Sequence, residues 1–219
     1  MPPRDHYAQQ LEALHAELRS LGQLVVAAIT WSLGAFSHHD TKVAERVVND
    51  DHDIDHAQYT LEEHAITVIA TQQPVARDLR RLIAAIAIAS ELERIGDYAK
   101  SIAKIVIRDV EQPPLEPPTG IMQMAERALA MLNEALEAFI QQDVDRARQL
   151  GAADDQVDAL DRQVRGELID RLQHDPAKAS QFADLLAVTH NLERIADRTT
   201  NIAERVVFMV SGAQVELNP

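Results

Sequence analysis

The chain contains no cysteine, few glycines and few aromatic residues. Among its 219 residues seven are glycine, and only 4% are aromatic. Without cysteine the chain has no disulfides, thiolate zinc sites or cysteine nucleophiles, so any metal must be held by carboxylate, histidine or water. So few glycines leave little scope for a phosphate-binding loop, a nucleophile elbow or a dinucleotide-binding fingerprint, and no such motif is present. The sequence therefore does not suggest an enzyme.

Positive charge is also scarce. The chain has 35 acidic residues against 21 lysines and arginines, which gives a net charge of -14. This balance argues against binding of nucleic acid and against unaided adhesion to an anionic membrane, whereas it suits cations or basic patches on partner proteins. We also expect no apolar signal segment and no segment that spans a bilayer, and hence a cytoplasmic protein without direct membrane insertion.

Helix-forming residues dominate the rest of the composition, and 46% of the residues are apolar. The chain is therefore predicted to be all-α, with a sizeable core. Two tandem three-helix bundles are expected, over residues 1–110 and 121–219, joined by a proline-rich linker over 111–120. Helices are predicted over 5–36, a short one over 40–48, 51–72 and 74–109 in the first half, and over 121–142, 154–173 and 177–211 in the second.

An internal duplication accounts for this symmetry. The sequence Leu-Glu-Arg-Ile-Gly-Asp at 92–97 returns as Leu-Glu-Arg-Ile-Ala-Asp at 192–197, each time inside a long helical pattern. Function is expected in what both copies keep. Gly96 becomes Ala196 in the second copy, which favours a small residue for close helix packing over a glycine required for a turn.

Carboxylates recur one helical turn apart in both copies. Glu93 and Asp97 share one face of their helix, and the preceding helix carries a second such pair. If adjacent helices align the two rows, oxygen-rich clusters result that bind cations such as Fe, Mn, Mg or Zn. The candidate metal ligands are Asp51, Asp55, Glu93 and Asp97 in the first repeat and Asp154, Asp158, Glu193 and Asp197 in the second, with Asp161 extending the second row.

Two other interpretations of these carboxylates stay open. The rows could be solvated, or Arg94 and Arg194 could pair with carboxylates of a neighbouring helix and lock the helices together. His52 and His56 could add auxiliary ligands in the first repeat only. The Glu12-x-x-His15 and Asp53-x-x-His56 spacings also resemble half of a di-metal carboxylate oxidase site.

Longer motifs carry a family resemblance. Gln-Pro-Val-Ala-Arg-Asp-Leu-Arg at 73–80, the two six-residue signatures, Thr-Asn-Ile-Ala-Glu-Arg at 200–205 and Val-Ser-Gly at 210–212 together resemble the PhoU family over almost the whole chain. The resemblance implies two three-helix bundles and E/D-x-x-x-D motifs that hold iron or zinc clusters. Those motifs map onto Glu93 with Asp97 and Glu193 with Asp197.

The same resemblance implies a regulator without catalytic activity. Such a protein negatively regulates phosphate uptake and the phosphate-starvation response as an adaptor between a phosphate ABC transporter, through its ATPase subunit, and a sensor histidine kinase. It would reach the inner face of the membrane through these partners. We expect a homodimer, and we weigh a metal-free helical scaffold and a di-metal oxidase as alternatives.

Overall fold

Six long α-helices form the protein. The computed structural model describes residues 3–109 and 115–218, with side chains from residue 7 onward. Within these ranges every regular element is helical, which confirms the all-α prediction. The helices are α1 (Pro3–His38), α2 (Thr41–Gln72), α3 (Arg77–Arg108), α4 (Thr119–Gln141), α5 (Val144–His174) and α6 (Ala179–Ser211), and a short 3-10 turn, Pro176–Lys178, precedes α6.

The helices pack as two three-helix bundles. Helices α1, α2 and α3 contact one another, as do α4 and α5 with α6, and the two bundles meet along α3 and α6 and, less extensively, along α1 and α4. One continuous apolar core runs through both. The predicted pair of bundles is thus confirmed. The proline-rich linker over 111–120 falls partly on residues 110–114, which lie outside the described residues.

The predicted break between a short helix ending at 48 and a second helix starting at 51 is wrong. Helix α2 runs without interruption from Thr41, and Asp40 caps it by accepting hydrogen bonds from the backbone N–H groups of Lys42 and Val43. Residues 48–51 contain neither glycine nor proline, so nothing in the backbone stops the helix.

Helix α5 begins ten residues before its predicted start at 154. Asp143 caps it, since its carboxylate accepts a hydrogen bond of 3.0 Å from the backbone N–H of Arg146. Gly151, inside this extension, has a packing role. A Cβ there would lie 2.7 Å from the carbonyl oxygen of Leu217, in the segment that follows α6.

Helix α3 begins at Arg77, not at Pro74 as predicted. Gln73 ends α2 in the left-handed conformation, and Ala76 has a φ of 50° and a ψ of -114°. A residue with positive φ cannot belong to a right-handed helix, so the helix starts only after it. The residues from Gln73 to Ala76 reverse the direction of the chain between α2 and α3.

The core-facing stripe of α5 includes a carboxylate, that of Asp161. Val157, Asp161, Val164 and Leu168 are buried, whereas Leu160 is only half-buried. Two hydrogen bonds of 2.6 and 2.8 Å from the Arg165 guanidinium to Asp161 compensate for the burial of this carboxylate.

The expectation that no segment is apolar enough to span a membrane is wrong for α1. Tyr7–His38 contains an 18-residue window with a mean hydropathy of 1.3, long and apolar enough by length and composition. Leu14, Leu18 and Leu21 are buried, whereas Leu24 and Trp31 are each 39% exposed. The core helix of a soluble protein passes the same test, so this property alone does not assign α1 to a membrane.

Gly96 lets α3 approach α2 closely, as the sequence predicts. A Cβ at this position would lie 3.0 Å from Cδ1 of Ile54 and 3.3 Å from its Cγ2. The repeat alignment pairs Gly96 with Ala196 and Ile54 with Val157, so a larger residue on α6 goes with a smaller one on α5. The two repeats therefore fill similar space with different residues.

Candidate metal centres

The first repeat brings its two carboxylate rows together between α2 and α3. Asp51 is buried, Glu93 is half-buried, and Asp55 and Asp97 are exposed. Partial burial raises the pKa of Glu93, and the charges of Asp97 and Asp55 raise it further. Burial also raises the pKa of Asp55, followed by the charges of Asp51 and, more weakly, Asp97. The carboxylates of the two rows thus act on one another electrostatically.

A lysine enters this cluster. The ammonium group of Lys100 donates a hydrogen bond to Oδ2 of Asp51, and Nζ lies 3.9 Å from Oδ1 of Asp97. The hydrogen bond to Asp51 raises the pKa of Lys100, and the charges of Asp51, Asp97 and Asp55 act in the same direction. Lys100 therefore neutralises the buried carboxylate of α2 and bridges it to the row on α3.

The second repeat assembles the equivalent carboxylates between α5 and α6 in a more buried setting. The side chain of Asp197 is 20% exposed, against 55% for Asp97. Asp154 is buried, and its burial raises its pKa to about 7, with the charges of Asp197, Asp158, Asp155 and Glu193 acting in the same direction. The charges that raise the pKa of Asp154 come from both helices, since Asp158 and Asp155 lie on α5 and Asp197 and Glu193 on α6.

Two arginines of the second repeat pair with Asp197 and Asp158. Nη1 of Arg194 lies 2.6 Å from Oδ2 of Asp197, and Nη1 of Arg162 lies 3.8 Å from Oδ2 of Asp158, each within a single helix. The carboxylate partner of Arg194 is therefore on its own helix, and not on a neighbouring one as the ion-pair interpretation proposes.

In the second carboxylate cluster, two buried oxygens have no hydrogen-bond partner among the described residues. They are Oδ1 of Asp154 and Oε2 of Glu193, the latter having only the His190 ring nitrogen at 3.5 Å. Unpartnered anionic oxygens in a buried site are the donors that a hard cation prefers. The donor set of the second repeat fits a metal ion, whereas the first repeat already holds the ammonium of Lys100.

Among the described residues, no three histidine, aspartate or glutamate side chains already converge closely enough to hold a metal ion. Metal binding would thus require side chains of α5 and α6 to draw together. The ligand role of the eight predicted carboxylates stays a prediction.

The histidines that the sequence predicts as auxiliary ligands, or as part of an oxidase site, do not contact the carboxylate rows. His52 is exposed and turns away from the cluster, with Nδ1 2.6 Å from the carbonyl oxygen of Asn49 and Nε2 3.1 Å from Asp53. His56 is also exposed. The His15 ring packs edge-on against Phe139, between α1 and α4. The structure therefore does not bring these histidines to the carboxylate rows.

Two contributors to the sites are missing from the sequence prediction. Lys100 follows Asp97 by three residues and has Thr200 at the equivalent place, so a signal is present in the comparison of the repeats. Asn218 has no such signal. Its side-chain amide donates a hydrogen bond of 3.0 Å to Oδ1 of Asp197 from the segment after α6.

Comparison with known proteins places the chain among accessory proteins of phosphate transport. The family model described as the PhoU domain matches twice, over residues 18–106 and 121–206. A relative from Clostridium acetobutylicum, named phosphate-specific transport system accessory protein PhoU homolog, is 34% identical and covers 98% of this chain and 99% of its own. A relative of the same name from Rhizobium meliloti is 34% identical over 95% of this chain and 88% of its own.

Solved structures show the same likeness. The crystal structure of PhoU from Pseudomonas aeruginosa is 30% identical, with a TM-score of 0.89, and the match covers 94% of this chain and all of that one. The phosphate transport system regulatory protein PhoU from Streptococcus pneumoniae also gives a TM-score of 0.89, with 31% identity over 96% of this chain and 99% of its own.

Proposed function

Because this chain belongs to the PhoU family of accessory proteins of phosphate transport, we propose that it negatively regulates phosphate uptake and the phosphate-starvation response. The observation that carries the proposal is the match of the PhoU domain to both bundles, together with relatives of that name along nearly the whole chain. The family is one of accessory and regulatory proteins rather than of enzymes. Regulation would therefore act through binding.

The proposed mechanism is that of an adaptor. The protein docks on the ATPase subunit of a phosphate ABC transporter and on a sensor histidine kinase, so that the state of the transporter biases the activity of the kinase. A net charge of -14 supports docking on basic patches of such partners. The protein acts in the cytoplasm, at the inner face of the membrane, as a homodimer.

Complementation tests the regulatory role. In a bacterium that lacks its own PhoU, expression of this chain should restore repression of a phosphate-starvation reporter in phosphate-rich medium. Co-purification with the ATPase subunit and with the cytoplasmic part of the kinase tests the adaptor step. A folded chain that leaves the reporter fully active and binds neither partner contradicts the proposal. Light scattering on the purified protein tests the homodimer.

We further propose that the carboxylate rows hold metal ions, iron or zinc, with Asp154, Asp158, Glu193 and Asp197 as the better-fitting set. A metal would supply the counter-charge that the buried carboxylates lack, and so would stabilise the packing of α5 on α6. The unpartnered oxygens of Asp154 and Glu193 support this role.

Elemental analysis tests metal binding. Untagged protein should carry stoichiometric iron or zinc, and an Asp97→Asn, Asp197→Asn double variant should lose it while circular dichroism shows an intact fold. Asp170→Asn, an exposed carboxylate elsewhere on α5, is the matched control and should keep the metal. Protein that stays metal-free after incubation with iron, manganese or zinc contradicts the proposal.

A metal-free scaffold is the second candidate, and the ion pair between Lys100 and Asp51 favours it for the first repeat. Such a scaffold needs no metal in order to act. Chelated protein should then bind its partners and repress the reporter as well as untreated protein does.

A further inference from the structure

The two repeats differ at one position beside otherwise equivalent carboxylates. Asp97 and Asp197 are 100 residues apart in sequence, and Asp51 corresponds to Asp154 on the preceding helix. One turn after Asp97 the first repeat has Lys100, and one turn after Asp197 the second repeat has Thr200. The carboxylates are thus duplicated, whereas the cation is not.

In the first repeat the side chain of Lys100 crosses from α3 to the buried carboxylate of α2. Its ammonium group is hydrogen-bonded to Asp51, whose side chain is 5% exposed, and the lysine side chain itself is 25% exposed. An ammonium that is covalently attached to the chain stands beside the carboxylate at very high effective concentration. A metal ion would have to displace it before Asp51 could act as a ligand.

In the second repeat no lysine occupies the equivalent place. Thr200 is buried, and its hydroxyl donates a hydrogen bond of 2.7 Å to the carbonyl oxygen of Asp197 in its own helix. Asp154 is 2% exposed, and its Oδ1 has no hydrogen-bond partner. A buried carboxylate in this condition is costly unless a proton or a cation joins it.

We propose that Lys100 takes the place of a metal ion in the first repeat, so that only the second repeat, around Asp154 and Glu193, binds a divalent cation from solution. The residue one turn after the aspartate of each signature therefore decides which repeat is a metal site. This inference rests on the proposed metal-binding function and assigns that function to one of the two repeats. The expected stoichiometry is one ion per chain.

Metal titration of the chelator-stripped full-length chain tests the inference, with Mn²⁺ and then Zn²⁺ as probes and bound metal measured after desalting. Wild-type protein should bind one equivalent. Asp154→Asn should weaken that binding by at least about tenfold, whereas Asp51→Asn, the matched change in the first repeat, should leave it unchanged. Circular dichroism checks that each variant is folded.

Removal of the lysine is the decisive variant. Lys100→Thr gives the first repeat the residue of the second and should add a second equivalent of bound metal. That extra equivalent should disappear when Asp51→Asn is combined with Lys100→Thr. In chelated protein, Lys100→Thr should also lower the midpoint of thermal unfolding, because Asp51 loses its counter-charge, and added Mn²⁺ should restore it.

The failure of this inference differs from the failure of metal binding as a whole. Two wild-type equivalents, of which Asp51→Asn and Asp154→Asn each remove one, overturn the inference and leave the proposed metal-binding function in place. A Lys100→Thr variant that gains no metal and loses no thermal stability also overturns it. No bound metal in any of these proteins overturns the proposed metal-binding function together with the inference, whereas the reporter assay judges the regulatory role separately.

Discussion

Ala76 occupies a backbone conformation that favours glycine. Its φ of 50° and ψ of -114° lie in a region where a Cβ atom is strained by about 1–3 kcal/mol. The turn is held by a hydrogen bond of 3.2 Å from the backbone N–H of Asp78 to the carbonyl oxygen of Val75. The strain is therefore imposed by the reversal between α2 and α3.

We expect Ala76→Gly to raise the free energy of unfolding by about 1 kcal/mol, because the relief of strain exceeds the added entropy of the unfolded chain. Ala130→Gly, the same substitution at an exposed position inside α4, should lower it by about 1 kcal/mol. Urea denaturation measures both. Equal losses of stability in the two variants would show that Ala76 is unstrained.

His15 ties the stability of the α1–α4 contact to pH. Its half-buried ring packs against Phe139 at a centroid distance of 5.4 Å. Burial lowers the pKa of His15 below 6.5, the nearby Arg81 and Arg19 act in the same direction, and Glu12 opposes them. The folded state thus favours the neutral ring.

A pKa that is lower in the folded state gives stability above the unfolded pKa and removes it as the pH falls. Acidification from pH 7.5 to 5 should therefore reduce the free energy of unfolding of the wild type by more than that of His15→Gln. Denaturant titrations across this pH range measure the free energy of unfolding of both proteins. Because all other titrating groups are common to both, their contribution cancels in the difference. Parallel pH profiles would contradict the assignment.

At the scale of the helix, glycines inside α4 and α5 fall into two classes. A Cβ added at Gly120, near the start of α4, would lie 2.5 Å from Cγ2 of Val164 on α5. A Cβ added at Gly166, in the exposed middle of α5, would meet nothing within 4 Å. The first glycine allows close packing, and the second only weakens its helix.

Gly166→Ala should therefore raise the free energy of unfolding by about 0.5–1 kcal/mol, the usual preference for alanine over glycine in a helix interior. Gly120→Ala should lower it by about 1–3 kcal/mol because α4 and α5 must move apart. Thermal or chemical denaturation of the two variants measures the contrast. A stabilised Gly120→Ala variant would mean that Val164 moves aside freely.

The helices could be predicted from sequence, and several of their boundaries could not. Composition and periodicity predict six long helices because helix-forming residues fill every segment between breakers. Two wrong boundaries go against local sequence signals: residues 48–51 contain no helix breaker, and Asp143 is a typical cap at the start of α5. The start of α3 depends on the path of the chain, since Ala76 carries no sign in its residue type of the turn it makes.

At the scale of the whole molecule, α3 and α6 join the two bundles through a polar contact as well as an apolar one. Oε2 of Glu91 lies 3.3 Å from Nη1 of Arg198 and 3.4 Å from Nδ2 of Asn201. The side chains of Glu91 and Arg198 are less than 20% exposed. The two bundles therefore share buried charges, besides a continuous core.

We expect calorimetry to show one cooperative unfolding transition, because the surfaces that the two bundles bury against each other would be exposed if one bundle unfolded alone.

Glu91→Ala should lower the free energy of unfolding by about 1–3 kcal/mol because Arg198 loses its largely buried carboxylate partner. Glu167→Ala, which removes a more exposed partner of Arg171 within α5, should change it by less than about 0.5 kcal/mol. Two separated transitions would show that the bundles fold independently.

The candidate site could be predicted in part. Spacing and duplication indicate the carboxylates of both rows, and the structure places these rows side by side. Comparison of the repeats marks Lys100 as a difference, but its contact with Asp51 could not be predicted, because its reach depends on the relative height of α2 and α3. The contact of Asn218 with Asp197 depends likewise on the path of the chain after α6.

That path has a practical consequence. Leu217 and Asn218 lie over the second bundle, with the backbone N–H of Leu217 donating to Glu204 and the side chain of Asn218 donating to Asp197. Since the chain has no cysteine, a thiol introduced at the exposed Gln214, three residues before Leu217, would be its single labelling site. A fluorophore attached there would turn displacement of this segment into an optical signal.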